Sequence, residues 1–569
     1  MTDSHPSADR ARSSQFPDWL LPVAVFLVLS VIIVSPFFWL GTASGHDFEF
    51  HAANWLDVAY QWKQGVVYPR WTSWTNHGFG EPRYIFYPPC SWILGAALTL
   101  FLPGQAVPIV YIVLVQTFAG LSAYLLLRNL SSRRAAILAA AFYALNPNAL
   151  LMIYMRSDFA EQLACAFFPL VLLGALRLCN FLEGFPPARS PIALFAIPFA
   201  AVWLSNAPAG VIASYSMALL FACAAVFERS WRPVLRGAAG IALGIGLTAF
   251  YLLPAAYEQR WVKISQALAS GLLPYQNFVF TEINDPEHTW FNWIASICAI
   301  SLILLLGLAA LASRCFAGPA GSVSNRRTSL ALLFVGAAAT LLTLRLTLPL
   351  WTYLPKLRFV QFPWRWMSMI ALIATFFLAF AIERPRGWLW FAVLFALSLP
   401  LAHFQVNNTW WDEDEMPTMH DAIDAGQGFD GTDEYDPLGD DHLDLPQDAP
   451  LVKVLPADPD DDSSTPKVQL QIPHWSPEHK EIQIDSPTAA RLALRLLSYP
   501  AWRVQLNRKW ITPDRLDTLD EMVIRVPAGA SNIRVDFMRT ADRQLGNALS
   551  AASVLCTLIL LWFARRRTS

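Results

Sequence analysis

Charge is what this sequence is shortest of. Only 15% of its residues are Asp, Glu, Lys or Arg, where a soluble globular chain carries roughly a quarter. Such a deficit over 569 residues excludes an ordinary water-soluble enzyme and implies an apolar surrounding larger than the chain's own core. Cysteine is scarce as well: seven are scattered, mostly through apolar runs, and none falls within 403–545. A disulfide framework is therefore excluded for that stretch. The chain has no Walker motif, Rossmann fingerprint, CxxC pair or HExxH, so nucleotide hydrolysis and the common zinc sites have no support. No basic cluster coincides with a recognition motif, which removes nucleic acid as a partner.

What the chain has in quantity is apolar run. Stretches near 19–40, 86–102, 107–127, 135–153, 163–182, 191–208, 209–227, 237–256, 291–312, 329–350, 366–382, 387–402 and 546–564 approach the ~20 residues that a helix needs to cross a bilayer. The expected fold is a polytopic α-helical membrane protein of about 12–13 spans. Residues 1–18 read as a cytoplasmic tail, 19–402 as the transmembrane domain, and 41–85 as its first external loop. Basic patches at 128–134, 229–236, 314–327, 384–386 and 565–567 all fall inside only if 86–127 crosses once. Segments 41–85, 154–162, 257–290, 351–365 and 403–545 are then external.

The charge is divided unevenly. Residues 403–545 hold 27 acids against 13 Lys and Arg, and the remainder holds 16 against 28. Within this acidic insert, 403–466 is Asp- and Gly-rich and reads as an extended or locally disordered linker. Residues 467–545 alternate with period two, as in Val468–Ile472, Arg491–Leu496 and Ile533–Phe537. That pattern predicts a β-sandwich-like extracytoplasmic domain. Residues 546–569 close the chain with a last span and a basic tail.

Chemistry concentrates in Gly45–Pro89, a polar loop rich in acids, histidines, arginines and aromatics. A helix beginning near Ser44–His46 puts Asp47, His51 and Asn54 on one face, with Phe48, Trp55, Ala59 and Trp62 as an apolar stripe. Asp47 there suits a general base; the plainer reading is that Asp47 caps the helix and Glu49 is solvated. The run Arg156-Ser-Asp158-Phe-Ala-Glu161 reads as a helix-end ion pair, or as acids holding a divalent cation through oxygen donors. Glu282, Asp285, Glu287 and His288 form a weaker group of the same kind. Lys356, Arg358 and Arg365 stand among aromatics at a span entrance, suited to a phosphate or to anchoring at the headgroups.

Together these features resemble the class C (GT-C) glycosyltransferases, polytopic enzymes that use polyprenyl-phosphate-linked sugars. More narrowly, His46-Asp47 through Trp71, Phe86–Pro89, Gln361–Arg365, Tyr499–Trp502 and Arg543–Ser550 resemble the YfhO-like bacterial membrane proteins, a group also described as 6-pyruvoyl-tetrahydropterin synthase-related. Pterin chemistry itself finds no supporting residues here, since the histidines are dispersed. The resemblance implies a bacterial inner-membrane enzyme that passes a sugar from a polyprenyl-phosphate donor to a glycan, lipid or protein acceptor on the outer face. It implies Asp47 as base with Glu49 or His51 as helper. It gives Asp158 and Glu161 to acceptor or metal positioning, and Arg365 with Arg70 or Arg83 to the leaving phosphate. Asp-Phe-Glu replaces the adjacent Asp-Glu of several relatives, so Asp47 and Glu49 stay as alternatives. A divalent cation is the one cofactor this set could take. The competing readings are a lipid-linked glycan transporter or polymerase, and a non-catalytic envelope assembly protein.

Overall fold

Lipid offers a backbone no hydrogen-bond partner, so the Leu-, Ile-, Phe- and Ala-rich runs fold as helices. The computed structural model describes residues 19–128, 130–181, 190–315, 323–384, 386–412, 415–439, 445–458, 466–516 and 520–566. The expected tail at 1–18 lies outside them. Eight helices among these residues are long and apolar enough to cross a membrane: Leu20–Leu40, Ala106–Leu127, Arg133–Arg156, Phe159–Leu178, Ala207–Glu228, Pro286–Ser313, Pro363–Ile382 and Ala541–Ala564. Two further runs are broken: Arg232–Leu247 turns by 76° into Ala249–Trp261, and Arg326–Leu342 by 92° into Arg345–Tyr353.

Of the expected 12–13 spans the described residues thus supply eight or more, ten if each bent pair crosses once. A further helix, Gly387–Asn407, of 21 residues, occupies the expected 387–402 run. Length keeps two of the expected runs out of that set. Pro89–Thr99 has 11 residues, a rise of about 16 Å against ~30 Å of hydrocarbon. Only Ala106–Leu127 can therefore carry 86–127 across. Pro191–Ser205, at 15 residues, is also short.

The opening loop carries a helix at Phe48–Lys63. It is sunk into the protein rather than laid along an interface: Phe48, Trp55 and Val58 are wholly buried, as is Asp57. Trp55 stacks on Tyr111 at 5.4 Å and meets the edge of Phe159 at 4.7 Å. Gly95 makes that seat, because a Cβ there would stand 2.1 Å from Trp55 Nε1. The buried Asp57 carboxylate accepts from Ser73 N, Tyr84 OH and Gln61 Nε2, each at 2.9 Å. Those bonds tie the helix to the rest of its loop.

Among the described residues, nine short strands build the β-domain before the last helix: β1 (Val452–Pro456), β2 (Gln469–Trp475), β3 (His479–Ser486), β4 (Ala490–Leu497), β5 (Trp502–Leu506), β6 (Lys509–Ile511), β7 (Asp514–Arg515), β8 (Glu521–Val526) and β9 (Gly529–Phe537). They make an antiparallel four-stranded sheet in the order β1-β4-β8-β7 and a five-stranded sheet in the order β2-β3-β9-β5-β6. Alternate residues such as Ile482, Ile484, Leu492, Leu494, Ile533 and Val535 fill one shared core. Trp71, Phe79, Ile85 and Phe86 of the opening loop join that core. Each side chain of that size withdrawn from water stabilises the junction by about 1.5–3 kcal/mol. A buried clamp reinforces it: Arg543 forks onto Glu258 at 2.7 and 2.8 Å, and Tyr499 OH donates to the same carboxylate at 2.6 Å.

The reading of 403–466 as an extended or disordered linker is corrected. Residues 415–424 form a helix, β1 belongs to the sandwich, and 429–436 lie against the opening loop. Phe429 N donates to Trp74 O at 3.0 Å, Asn76 Nδ2 to Asp436 at 3.0 Å, and Arg83 Nη2 to Thr432 Oγ1 at 2.7 Å. An acid-rich, aliphatic-poor segment gains order from such tertiary contacts, which its own composition cannot supply.

Candidate functional site

Met152–Arg156 is a π turn, and Ser157 after it takes a left-handed conformation with φ of 53°. Single π turns inside helices are common at functional sites because they re-aim side chains. Here the turn ends on Arg156, whose guanidinium meets three carboxylates. Nη2 lies 2.9 Å from Asp47 Oδ2 and 2.6 Å from Asp158 Oδ2, and Nη1 lies 2.7 Å from Glu161 Oε2. Arg365 completes the group, with Nε 3.0 Å from Glu161 Oε2 and Nη2 3.7 Å from Asp158 Oδ2. Three carboxylates thus face two guanidinium groups.

The backbone holds the opening loop to this turn. Asp47 N donates to Arg156 O at 2.8 Å, Gly45 N to Ser157 Oγ at 3.0 Å, and Ser157 Oγ to Ala43 O at 2.7 Å. Gly45 allows the approach, since a Cβ there would stand 2.5 Å from Met155 O.

Asp47 occupies the N-cap position of its helix but makes no side-chain capping bond. Asp158 does cap its own helix, Phe159–Leu178, its Oδ1 accepting from Glu161 N at 2.8 Å. Burial works to raise the Asp158 carboxyl, but Arg156, His51 and Arg365 outweigh it and hold the group well below the usual carboxylate range. Asp47 keeps 37% of its side chain exposed, and Glu49 is exposed beside it.

These groups border a cavity of about 590 Å3. Its walls come from every connection expected on the external face. His46, Asp47, Glu49 and Tyr87 come from the opening loop, and Asp158 from the π-turn junction. Asn206–Pro208 comes from a helix junction, Ile264 and Leu272 from the loop after the first bent pair, Gln361–Arg365 from the entrance of a later span, and Phe429–Tyr435 from the acidic insert. One wall is aromatic: Phe50 meets Tyr87 at 4.7 Å and Phe86 stacks on Tyr435 at 6.0 Å. Burial pushes His46 down and Glu434 up from their ordinary values.

Asp47, Glu49, Asp158, Arg83 and Arg365 therefore share one cavity, and Glu161 lies directly behind it. His51 is buried and lies outside the lining, its Nε2 3.8 Å from Asp158 Oδ1. Asp158 and the rings of Phe50 and Tyr87, at 5.7 and 6.0 Å, stand between it and the cavity. Arg83 is committed inward, 2.5 Å from Glu81 and 3.1 Å from Asn54 Oδ1. Arg70 is not brought to the cavity: its guanidinium lies over Tyr68 at 4.4 Å and reaches Phe250 O at 3.4 Å. Among the described residues no group of three His, Cys, Asp or Glu has the arrangement of a metal site. The acids turn onto the arginines instead, so the residues present do not fit the divalent cation expected from the sequence. In the weaker group at Glu282–His288, Asp285 Oδ1 accepts from the backbone N of Glu287 and of His288, and the His288 ring bonds Asn277 at 2.7 Å.

Sequence reading missed Arg156 as the centre, although it stands inside the motif singled out. It also missed Tyr87, Thr432, Glu434 and Tyr435. For the last three no local signal exists, because their segment reads as disordered.

Residues 84–410 match the model of a family described as 6-pyruvoyl-tetrahydropterin synthase related domain; membrane protein. No curated protein matches the chain. Among solved structures, the arabinofuranosyltransferase AftD from mycobacteria is similar at 17% identity and a TM-score of 0.44, covering 73% of this chain and 30% of that one. The Archaeoglobus fulgidus oligosaccharyltransferase, tethered to an acceptor peptide, is similar at 16% identity and a TM-score of 0.41, covering 69% and 56%. The chain thus spans less than two thirds of either protein. At that level of similarity nothing passes from those proteins to this one.

Proposed function

The chain belongs to the 6-pyruvoyl-tetrahydropterin synthase-related family of membrane proteins, and for this member we propose an integral-membrane glycosyltransferase. It would move a sugar from a polyprenyl-phosphate donor to an envelope glycan, lipid or protein acceptor at the extracytoplasmic face of a bacterial inner membrane. The observation that carries the reading is the convergence of Asp47, Asp158 and Arg365 on one cavity bordered by both polar and apolar walls.

Asp47 is the base of this scheme. Arg156 fixes one of its oxygens, and the exposed part of the carboxylate is free to take the proton of an acceptor hydroxyl. That oxygen then attacks the sugar's anomeric carbon as its bond to the donor phosphate breaks. Negative charge grows on the departing phosphate, where fixed cations at a low-dielectric boundary act strongly. Arg365 serves there, since its contact to Asp158 is loose at 3.7 Å. Ile264, Leu272, Phe359 and Phe362 give the first isoprene units an apolar wall. Phe50, Tyr87 and Tyr435 offer ring faces to the sugars. Asp158 and Glu161, behind Arg156, keep both arginines in register.

The test compares lipid-linked sugars and envelope glycans by mass spectrometry in a deletion strain and an Asp47→Asn strain. The expected result is that both lose the same glycan and accumulate the same donor, with the variant inserted at normal abundance. A normal glycan profile in the Asp47→Asn strain would sink the mechanism and favour an assembly role.

A further inference from the structure

A second cavity, of about 170 Å3, lies where the opening loop meets the β-domain. It has room for many times the volume a single water needs. Tyr60 and Trp74 border it from the loop side, and Trp475, Lys480 and Arg495 from the sandwich. None of these residues belongs to the cavity around Asp47.

Its charge is out of keeping with its surroundings. The insert holds 27 acids against 13 bases, yet two of those bases border this cavity, drawn to Glu478 and Asp448 from beyond ion-pair distance. Among the described residues, Lys480 Nζ gives hydrogen bonds only to the carbonyls of Ser476 and Pro477, at 3.1 and 3.2 Å. It lies over the rings of Trp502 and Trp475, at 4.3 and 5.2 Å. Arg495 spends its donors on the carbonyls of His77, Gly426, Gln427 and Gln447. Among the described residues neither has an acid within ion-pair distance. Burial pushes the Lys480 ammonium down to about 7, with Glu478 opposing from a distance. Removing a cation from water without a partner is expensive, and an incoming anion would recover that cost.

The other walls narrow the anion. Tyr60, Trp74 and Trp475 are large flat rings with apolar faces, and aromatic rings with polar handles favour ligands that are partly apolar and partly wet. Inorganic phosphate has no use for them, and a hydrocarbon has no use for the cations. A saccharide ring with a carboxylate uses both, its C–H face against an aromatic and its acid toward Lys480. We propose that this junction is a binding site for an acidic glycan, a uronate-bearing saccharide, separate from the transfer cavity. It is a holding site in which no bond is made or broken. It rests on the proposed transfer only in the sense that an acceptor chain held here would lie against the same loop that carries Asp47.

The experiment uses the full chain in detergent micelles, titrated with a tetragalacturonate and with a neutral tetraglucoside, binding being read by calorimetry and saturation-transfer NMR. The expected result is saturable binding of the tetragalacturonate, at least tenfold tighter than the tetraglucoside and weakened by salt. Lys480→Gln should lower that affinity tenfold or more. Trp475→Leu, which keeps bulk and removes the ring face, should lower it severalfold and stands as the second variant if Lys480→Gln does not fold. Asp47→Asn should leave the affinity unchanged, so loss of transfer and loss of this site are told apart. The proposal is overturned if the tetragalacturonate does not saturate. It is equally overturned if both β-domain variants bind it as the unaltered chain does, or if Asp47→Asn abolishes binding and so moves the ligand to the other cavity.

Discussion

Asp47 and Arg156 are 109 positions apart, and their side chains meet at 2.9 Å while their backbones share a hydrogen bond at 2.8 Å. A residue placed to cap its own helix gives its carboxylate to a different helix. Arg156 is therefore the common partner of Asp47, Asp158 and Glu161, and its removal leaves three acids with one guanidinium.

Taking one partner from a buried ion pair costs about 3–5 kcal/mol. Arg156→Met is expected to melt well below the unaltered protein in detergent and to lose transfer. Arg156→Lys should recover part of the stability and little of the transfer, because an ammonium cannot fork between Asp158 and Glu161 while holding Asp47. Thermal melts beside a transfer assay check both. Unchanged melting of Arg156→Met would count against the hub.

Gly45→Ala tests the backbone part of the same contact. The added methyl would collide with the Met155 carbonyl at 2.5 Å, and backbone on both sides leaves nothing flexible to move. The opening loop must withdraw by several tenths of an ångström or more. Transfer is expected to fall at least tenfold with the protein still inserted, because a misplaced catalytic group is costly even when the fold survives. Full transfer would mean that the Gly45 seat does not set Asp47.

Asp57 supplies a pH dependence. Burial, opposed in part by its hydrogen bonds, pushes its carboxyl up to about 6. Its folded value exceeds the unfolded one, so its contribution is fully present below pH ~4 and is lost as pH rises through about 6. Asp57→Asn mimics the protonated form. It should melt with the unaltered protein at pH 4 and above it at pH 8, the gap being worth about 3 kcal/mol. A gap that closes as pH rises would reverse the sign and refute the account.

The Glu258–Arg543–Tyr499 clamp joins the bent span to the β-domain and last helix. Glu258→Gln keeps the shape but removes the charge facing Arg543. It should lower the melting temperature and open the domain junction to limited trypsin cleavage before the membrane helices are lost. Cleavage no faster than in the unaltered protein would show the apolar core of Trp71, Phe79 and Ile85 to be sufficient alone.

How much of this was legible depended on the reach of each interaction. Asp47, Asp158 and Arg365 stand out because ionised groups are rare in an apolar chain, and their shared face follows from hydropathy and the basic patches. Alternation gave the strands from Val468 onward because one face of each is buried. The Arg156 hub was hidden because ion pairing between distant helices leaves no period in the sequence. Arg70 looked equivalent to Arg365 in composition, and only the fold separates one over Tyr68 from the other at the cavity. Residues 429–436 read as disordered because their order comes from Trp74, Asn76 and Arg83, more than 300 positions earlier. Apolar composition also does not reveal that one helix stops after the 11 residues Pro89–Thr99, or that Thr248 ends another at a 76° bend.

The Arg83–Thr432 contact, 349 positions long, bears on how the protein is made. A ribosome delivers the opening loop early and the wall carrying Thr432 and Tyr435 only after nearly every membrane helix has been inserted. Until then the opening loop has no far wall and the apolar faces of Trp71, Phe79 and Ile85 have no sandwich to cover them. Biogenesis therefore has a built-in order, in which competence arrives last and the nascent chain depends on a chaperone or on the membrane surface to shield those rings. Chains halted before residue 429 should be inserted, inert and quickly degraded, which pulse-labelling of truncated chains would read directly.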